Sequence, residues 1–202
     1  GSKNKLKRFR ENETFKNVIQ PERQDVLDGF HLKGKWSEFF GNSNPIILEL
    51  GCGKGEYTIA LAKKNPNINY IGIDIKGARF WRGAKTALED NMPNVAFIRT
   101  QIELIDLIFA ENEVSEIWIT FPDPQIKYTR TKHRMTNAEF LKKYHKVLKE
   151  DGVVNLKTDS EFMHGYTLGL LHGAGHEVIY AHHDVYKNNH SPEEVTSTQT
   201  FY

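Results

Sequence analysis

Three carboxylates, one glycine-rich turn and one cluster of cations carry the chemistry open to this chain. Glu49 stands near the end of an apolar run, Ile46-Ile47-Leu48-Glu49-Leu50, and the turn Gly51-Cys52-Gly53-Lys54-Gly55 follows directly. Asp74 closes a second run, Tyr70-Ile71-Gly72-Ile73-Asp74. Asp123 stands between Pro122 and Pro124, just past a third run at Ile117-Trp118-Ile119, and Lys127, Arg130, Lys132 and Arg134 come soon after it. A glycine turn between a strand and a helix admits a ligand against the backbone where a side chain would collide. A carboxylate ending the next strand can accept both hydroxyls of a ribose. A carboxylate fixed beside a patch of positive charge suits the orientation of something polyanionic.

The glycine pattern discriminates between ligands. A dinucleotide fingerprint needs a third glycine or an alanine where Glu56 stands, and a phosphate-cradling P-loop needs a hydroxyl after its lysine, which Gly53-Lys54-Gly55 lacks. What remains is E-x-G-x-G-x-G with an acid inside the strand end, and an acid there suits a cationic ligand better than a pyrophosphate. The bland alternatives are a glycine turn of some unrelated α/β domain and, for Asp123, a turn-capping carboxylate. Asp74, at the expected distance, speaks against the first.

Alternating elements must position these residues. The patterns predict strands at 46–50, 70–74, 95–98, 115–121, 153–157 and 177–182, and helices at 56–64, 78–91, 102–109, 137–148 and 160–171. Residues 21–40 read as one or two short helices, with Trp36, Phe39 and Phe40 docking on the core. Strands alternating with helices of this length mean an α/β fold with a mainly parallel sheet. Residues 1–20 open with Lys3, Lys5, Lys7, Arg8 and Arg10 before the first acid, Glu11. They read first as a disordered, solvated arm and alternatively as a flexible contact to phosphates.

Composition bounds the class. The 202 residues are 39% hydrophobic and 26% charged, with a mean hydropathy of −0.56, as in an ordinary soluble globular protein of one domain. No apolar run reaches the ~18 residues needed to span a membrane, and nothing resembles a secretory leader. Gly1-Ser2 has the look of a tag-removal scar. The single cysteine, Cys52, excludes an internal disulfide and a cysteine-based metal site and fits a cytoplasmic protein. His182, His183 and His190 lack a third ligand at useful spacing, so no metal is expected. A net charge of +1 means that any nucleic-acid partner must be met by local patches.

The glycine motif resembles the first motif of class I S-adenosylmethionine-dependent methyltransferases. With Phe121-Pro122-Asp123-Pro124, Leu156-Lys157-Thr158-Asp159 and Thr200-Phe201-Tyr202 added, the chain from Ile46 to Tyr202 resembles the bacterial tRNA (guanine-N7-)-methyltransferases. The resemblance implies a Rossmann-like fold, with helices on both faces of a mainly parallel sheet. It makes residues 34–202 a single methyltransferase domain, with 1–33 as a basic arm and short helix before it. It further implies methyl transfer from S-adenosylmethionine, released as S-adenosylhomocysteine, to N7 of a guanine in the tRNA variable loop. By the same resemblance Glu49, Gly51, Gly53, Asp74, Gln101 and Asp123 line the cofactor site, with Asp123 catalytic. Lys127, Asp159 and Thr200 contact the substrate, and Thr129, Arg130, Lys132, His133 and Arg134 touch RNA; either Asp123 or Asp159 grips the guanine edge. No membrane partner is implied, and the protein is expected as a monomer or homodimer.

The chain departs from the family pattern in three places. Gln125 stands where a tryptophan is usual, the dense basic run is opened between Lys127 and Arg134, and the closing T-x-Y-E stops at Tyr202, so the C-terminus is expected to be incomplete. The competing readings are a methyltransferase for a small molecule, amide or amine, and an RNA-binding relative without catalysis.

Overall fold

Apolar runs without polar alternation have to be covered on both faces, and the centre of the molecule is built from such runs. The structure, a computed structural model, describes residues 1–120, 138–157, 177–180 and 198–201. Six parallel strands form the sheet: β1 (Val18–Ile19), β2 (Ile46–Leu50), β3 (Asn69–Asp74), β4 (Val95–Arg99), β5 (Val114–Thr120) and β6 (Leu148–Lys157). Two further strands, β7 (Glu177–Tyr180) and β8 (Thr198–Phe201), close one edge, where β8 runs antiparallel to both β6 and β7. The spatial order is β1-β4-β3-β2-β5-β6-β8-β7. The chain thus reverses its direction of travel between β2 and β5, the kind of switch point where open α/β sheets bind ligands at the carboxyl strand ends.

Alternation along each strand sorts side chains between two cores. Ile46, Leu48 and Leu50 of β2, with Ile71 and Ile73 of β3, face one side. There they meet α2 (Arg23–Gly29), α3 (Trp36–Phe40), α6 (Ile105–Ile108) and α7 (Ala138–Val147). Ile47 of β2, Tyr70 of β3 and Phe97 of β4 face the other side, against α4 (Glu56–Lys64) and α5 (Gly77–Glu89). Helices therefore cover both faces. Trp36 is fully buried as expected: its Nε1–H donates to the Ile108 carbonyl at 3.1 Å and its ring stacks on Phe109 at 5.3 Å.

Three expectations change. The opening residues are not a disordered arm: Ser2–Thr14 is a helix, α1, packed on α5. It is held by polar groups rather than by an apolar stripe. Asn12 is buried and donates through Nδ2 to the Gly77 carbonyl at 3.0 Å, and Asn17 donates to the Ala84 carbonyl at 3.0 Å. Strand β1 then pairs with β4, Val18 opposite Phe97. Second, the helix expected over 102–109 is a 3-10 turn (Ile102–Leu104) followed by α6. Third, β6 starts at Leu148, directly after α7, and its register against β5 shifts between Val114 and Glu116, around the turn expected at Asp151-Gly152. The helix expected at 160–171 lies outside the described residues.

Candidate active site

Glu49 and Asp74 lie at the carboxyl ends of neighbouring strands, β2 and β3, with the glycine turn between them. Both are buried, at 5% and 7% exposure. Strand alternation aims Glu49 at the α4 side, where the Thr58 hydroxyl donates to its Oε1 at 2.7 Å. A charge out of water must be hydrogen-bonded to persist, and the first turn of α4 supplies that bond. Asp74 is held by backbone: Oδ2 accepts from Gly53 N–H at 3.0 Å and Oδ1 from Lys76 N–H at 2.8 Å. The Arg79 guanidinium on α5 stands 4.0 Å from the same carboxylate.

The turn follows from β3. The N–H groups of Gly51 and Cys52 both donate to the Ile73 carbonyl, at 2.8 and 3.0 Å. Gly53 then adopts φ +56°, the left-handed region that costs a side-chain-bearing residue strain. Its backbone faces Arg79, whose Nη2 would lie 3.3 Å from an added Cβ. Gly55, at φ +79°, answers a packing need rather than a ligand: a Cβ there would lie 2.7 Å from the Phe97 ring. Cys52 sits inside this turn, and burial, reinforced by Glu49 and Asp74, pushes its thiol well above its ordinary range. It stays protonated and packs as a small apolar residue.

The structure thus brings together Glu49, Gly51, Gly53 and Asp74. Gln101 follows β4, next to β3, as a neighbour of that group; it is exposed and accepts a hydrogen bond from Arg23. Thr200 lies elsewhere. Its backbone is in β8, opposite Val154 of β6, three strands from β2, roughly 14 Å away at the usual strand spacing. Asp123, Lys127, Thr129, Arg130, Lys132, His133, Arg134 and Asp159 lie outside the described residues. Two contributors escaped sequence reasoning. Thr58 carries no motif, and only its place in the first turn after the glycines points to it. Arg79 is one of several cations on α5, and only the fold shows it against Asp74.

The donor set fits a cationic nucleoside. Glu49 is a buried carboxyl held by Thr58, and Asp74 a carboxylate fixed by two N–H donors, groups whose chemistry suits a positive centre and vicinal hydroxyls. Gly53, at positive φ, adds no side chain of its own to the turn between them, and Arg79 borders it.

Residues 43–200 match a family model described as "Putative methyltransferase". The chain is 74% identical over 204 residues to the tRNA (guanine-N(7)-)-methyltransferase of Christiangramia forsetii, a match spanning 100% of this chain and 91% of that protein. Among solved structures it is similar to the aminoglycoside resistance methyltransferase NpmB1. That match has a TM-score of 0.60 at 16% identity, over 83% of this chain and 92% of the other. It is also similar to a 16S rRNA (adenine(1408)-N(1))-methyltransferase from Catenulisporales acidiphilia solved with its cosubstrate SAM. Here the TM-score is 0.55 at 13% identity, over 83% and 90% of the two chains. At such identities these likenesses speak for the fold alone.

Proposed function

The chain belongs to the tRNA (guanine-N(7)-)-methyltransferase family, and on that premise we propose that it methylates N7 of a guanine in the tRNA variable loop from S-adenosylmethionine. The observation that carries this reading is the pair of buried, pre-held carboxylates, Glu49 and Asp74, bracketing the glycine turn. When bound, S-adenosylmethionine supplies a methyl group made electrophilic by a positive sulfur. Glu49 would hold the cationic amino acid end, and Asp74 the ribose. Gly51 and Gly53 would let that ligand lie against the turn.

Guanine N7 has an in-plane lone pair and no proton, so its attack on a methyl group needs no general base. The protein's task is alignment and electrostatics. With N7 facing the methyl group, the opposite guanine edge offers N1–H and the exocyclic amine, donors that one carboxylate can accept as a pair. Either Asp123, three residues past the end of β5, or Asp159 would supply that grip. Lys127 would take O6 or a nearby phosphate. Residues Thr129, Arg130, Lys132, His133 and Arg134 would hold RNA by charge and stacking, and Thr200 would complete the substrate side.

Among the described residues no helix is long and apolar enough to cross a membrane. A lone cysteine and a tRNA substrate fit action in the cytoplasm. The deciding experiment incubates the protein with labelled S-adenosylmethionine and total tRNA and maps the modified nucleotide. Label on N7 of a variable-loop guanine is expected; label elsewhere in tRNA, or only on protein or metabolites, would overturn the reading. Asp123→Ala should abolish transfer while leaving thermal unfolding unchanged, and unimpaired turnover would remove Asp123 from the catalytic role.

A further inference from the structure

Away from the strand ends that carry Glu49 and Asp74, a run of exposed positive charge covers α1 and the adjoining side of α5. We propose that this face is a second tRNA-binding surface, taking the phosphate backbone of the substrate outside the methylated loop. The proposal rests on the tRNA reading above and adds a contact region to it.

Lys3, Lys5, Lys7, Arg8 and Arg10 are all exposed on α1. The first turn of that helix holds no acid. Cations at a helix N-terminus oppose its macrodipole within the first turn, so Lys3 and Lys5 work against the helix that carries them. Asn12, the partly buried Phe15 and the Arg8–Trp81 contact dock the helix, and Lys3, Lys5, Lys7 and Arg10 take no recorded part in that. Among the described residues, none of these five cations forms an ion pair with a carboxylate. Four exposed cations, Lys3, Lys5, Lys7 and Arg10, without a carboxylate partner among the described residues point to an external polyanion.

The geometry gives the patch shape. Lys3, Lys7 and Arg10 recur at helical spacing and share one side of α1, where with Leu6, Thr14 and one acid, Glu11, they line a shallow depression of about 490 Å³. Beside it, the indole of Trp81 on α5 is fixed by Nε1–H donation to Glu11 at 2.6 Å. The Arg8 guanidinium lies 4.7 Å from the ring centroid and the Lys85 ammonium 5.1 Å from it. A half-buried indole thus holds two cations at the surface, with exposed Arg82 next in sequence. Pre-placed cations lose less freedom on meeting phosphates than free side chains do. With a net charge of only +1 on the chain, this local excess is balanced by acids elsewhere, an asymmetry that steers a polyanion to one face.

A basic helix can also mark a membrane surface. Here the apolar requirement is not met. Phe9 is engaged inside the fold, with Arg99 over its ring at 5.7 Å, and Leu6 is the single large apolar side chain that α1 leaves well exposed. One leucine inserts too little area to hold a bilayer, so RNA is the partner that the patch fits.

The test is the full chain carrying Lys3→Gln, Lys7→Gln and Arg10→Gln together, against a control carrying Lys33→Gln, Lys35→Gln and Lys149→Gln. Each is titrated with tRNA across a salt series and assayed for methyl transfer. The α1 variant should lose about tenfold or more in tRNA affinity. Its slope of log affinity against log salt should shrink by roughly 0.9 for each phosphate that it no longer neutralises. Its kcat at saturating tRNA and its affinity for S-adenosylmethionine should be unchanged, and its melting temperature unchanged or slightly raised, since Lys3 in the first turn opposes the dipole. An affinity and salt slope within about twofold of the parent would overturn the proposal, as would an equal loss in the control. Tight binding of the parent to anionic phosphatidylserine vesicles, abolished in the variant while tRNA affinity holds, would overturn it in favour of a membrane. Failure of the parent itself to bind or methylate tRNA would instead sink the functional reading.

Discussion

The role proposed for Glu49 rests on its being buried and already held. The Thr58 hydroxyl donates to it at 2.7 Å, one of the bonds that offset the cost of taking a carboxyl out of water. Thr58→Val keeps the shape and removes that donor. It should destabilise the protein by about 1–3 kcal/mol, the usual cost of stripping a hydrogen bond from a buried charged group, and weaken S-adenosylmethionine binding severalfold. Thermal unfolding and calorimetric titration would check both, and a variant unchanged in each would mean that Glu49 is held by other means. Glu49 and Asp74 were legible as acids ending apolar runs beside glycines. Thr58 was not, because a threonine in a helical first turn signals nothing until its neighbour on the sheet is known.

At the level of elements, the site depends on how closely α5 approaches the glycine turn. The ring of Phe97, stacked on Phe80 at 5.2 Å, fills a slot bounded by Gly55, Gly72 and Gly83. A Cβ on Gly72 would lie 2.7 Å from that ring, and one on Gly83 would lie 2.8 Å from the Lys54 carbonyl oxygen. Glycine inside a helix ordinarily costs roughly 1 kcal/mol against alanine, so Gly83→Ala on propensity alone should stabilise. Overpacking against backbone should reverse the sign, giving a loss of about 1–3 kcal/mol together with weaker cofactor binding, because Lys54 belongs to the turn. Chemical denaturation measures the first effect; a more stable variant would show that α5 can move aside cheaply. The element order was legible because its signals are local: apolar runs, prolines and glycines. Helix α1 was misread because amides bury it, and a buried asparagine has no periodic signature.

For the molecule as a whole, pH dependence reports a buried cost. Glu116 on β5 accepts a hydrogen bond from Asn155 on β6, yet burial pushes its carboxyl above the ordinary range, outweighing that bond. A folded-state pKa raised above the unfolded one adds stability that is fully present below the unfolded value and is lost as pH rises through the folded value. Above the ordinary glutamate range the buried carboxyl is therefore a net burden, whether it ionises or takes up a proton on folding. Glu116→Gln, which keeps an acceptor for Asn155, should melt higher than the parent near pH 7 to 8, with the difference shrinking as pH falls toward about 4, the ordinary glutamate value. A difference independent of pH would show that packing, not ionisation, separates the two. Tyr70, pushed up to about 12 chiefly by burial and next by Glu116, stays neutral throughout that range.

The sequence by itself determined the strand–turn–helix order, the acids at two strand ends, the exclusion of pyrophosphate-type turns and the family likeness, since each is written in spacing along the chain. It also marked Asp123, Lys127 to Arg134 and Asp159, which stand as motifs because they lie outside the described residues. Only the tertiary structure decided what each residue answers to. It gave Glu49 its partner in Thr58, set Arg79 against Asp74, assigned Gly55 to the ring of Phe97, and turned the basic opening into a docked helix that displays its charges. The reason is physical: hydrogen bonds to buried charges and steric contacts with a distant ring join residues that spacing along the chain does not relate.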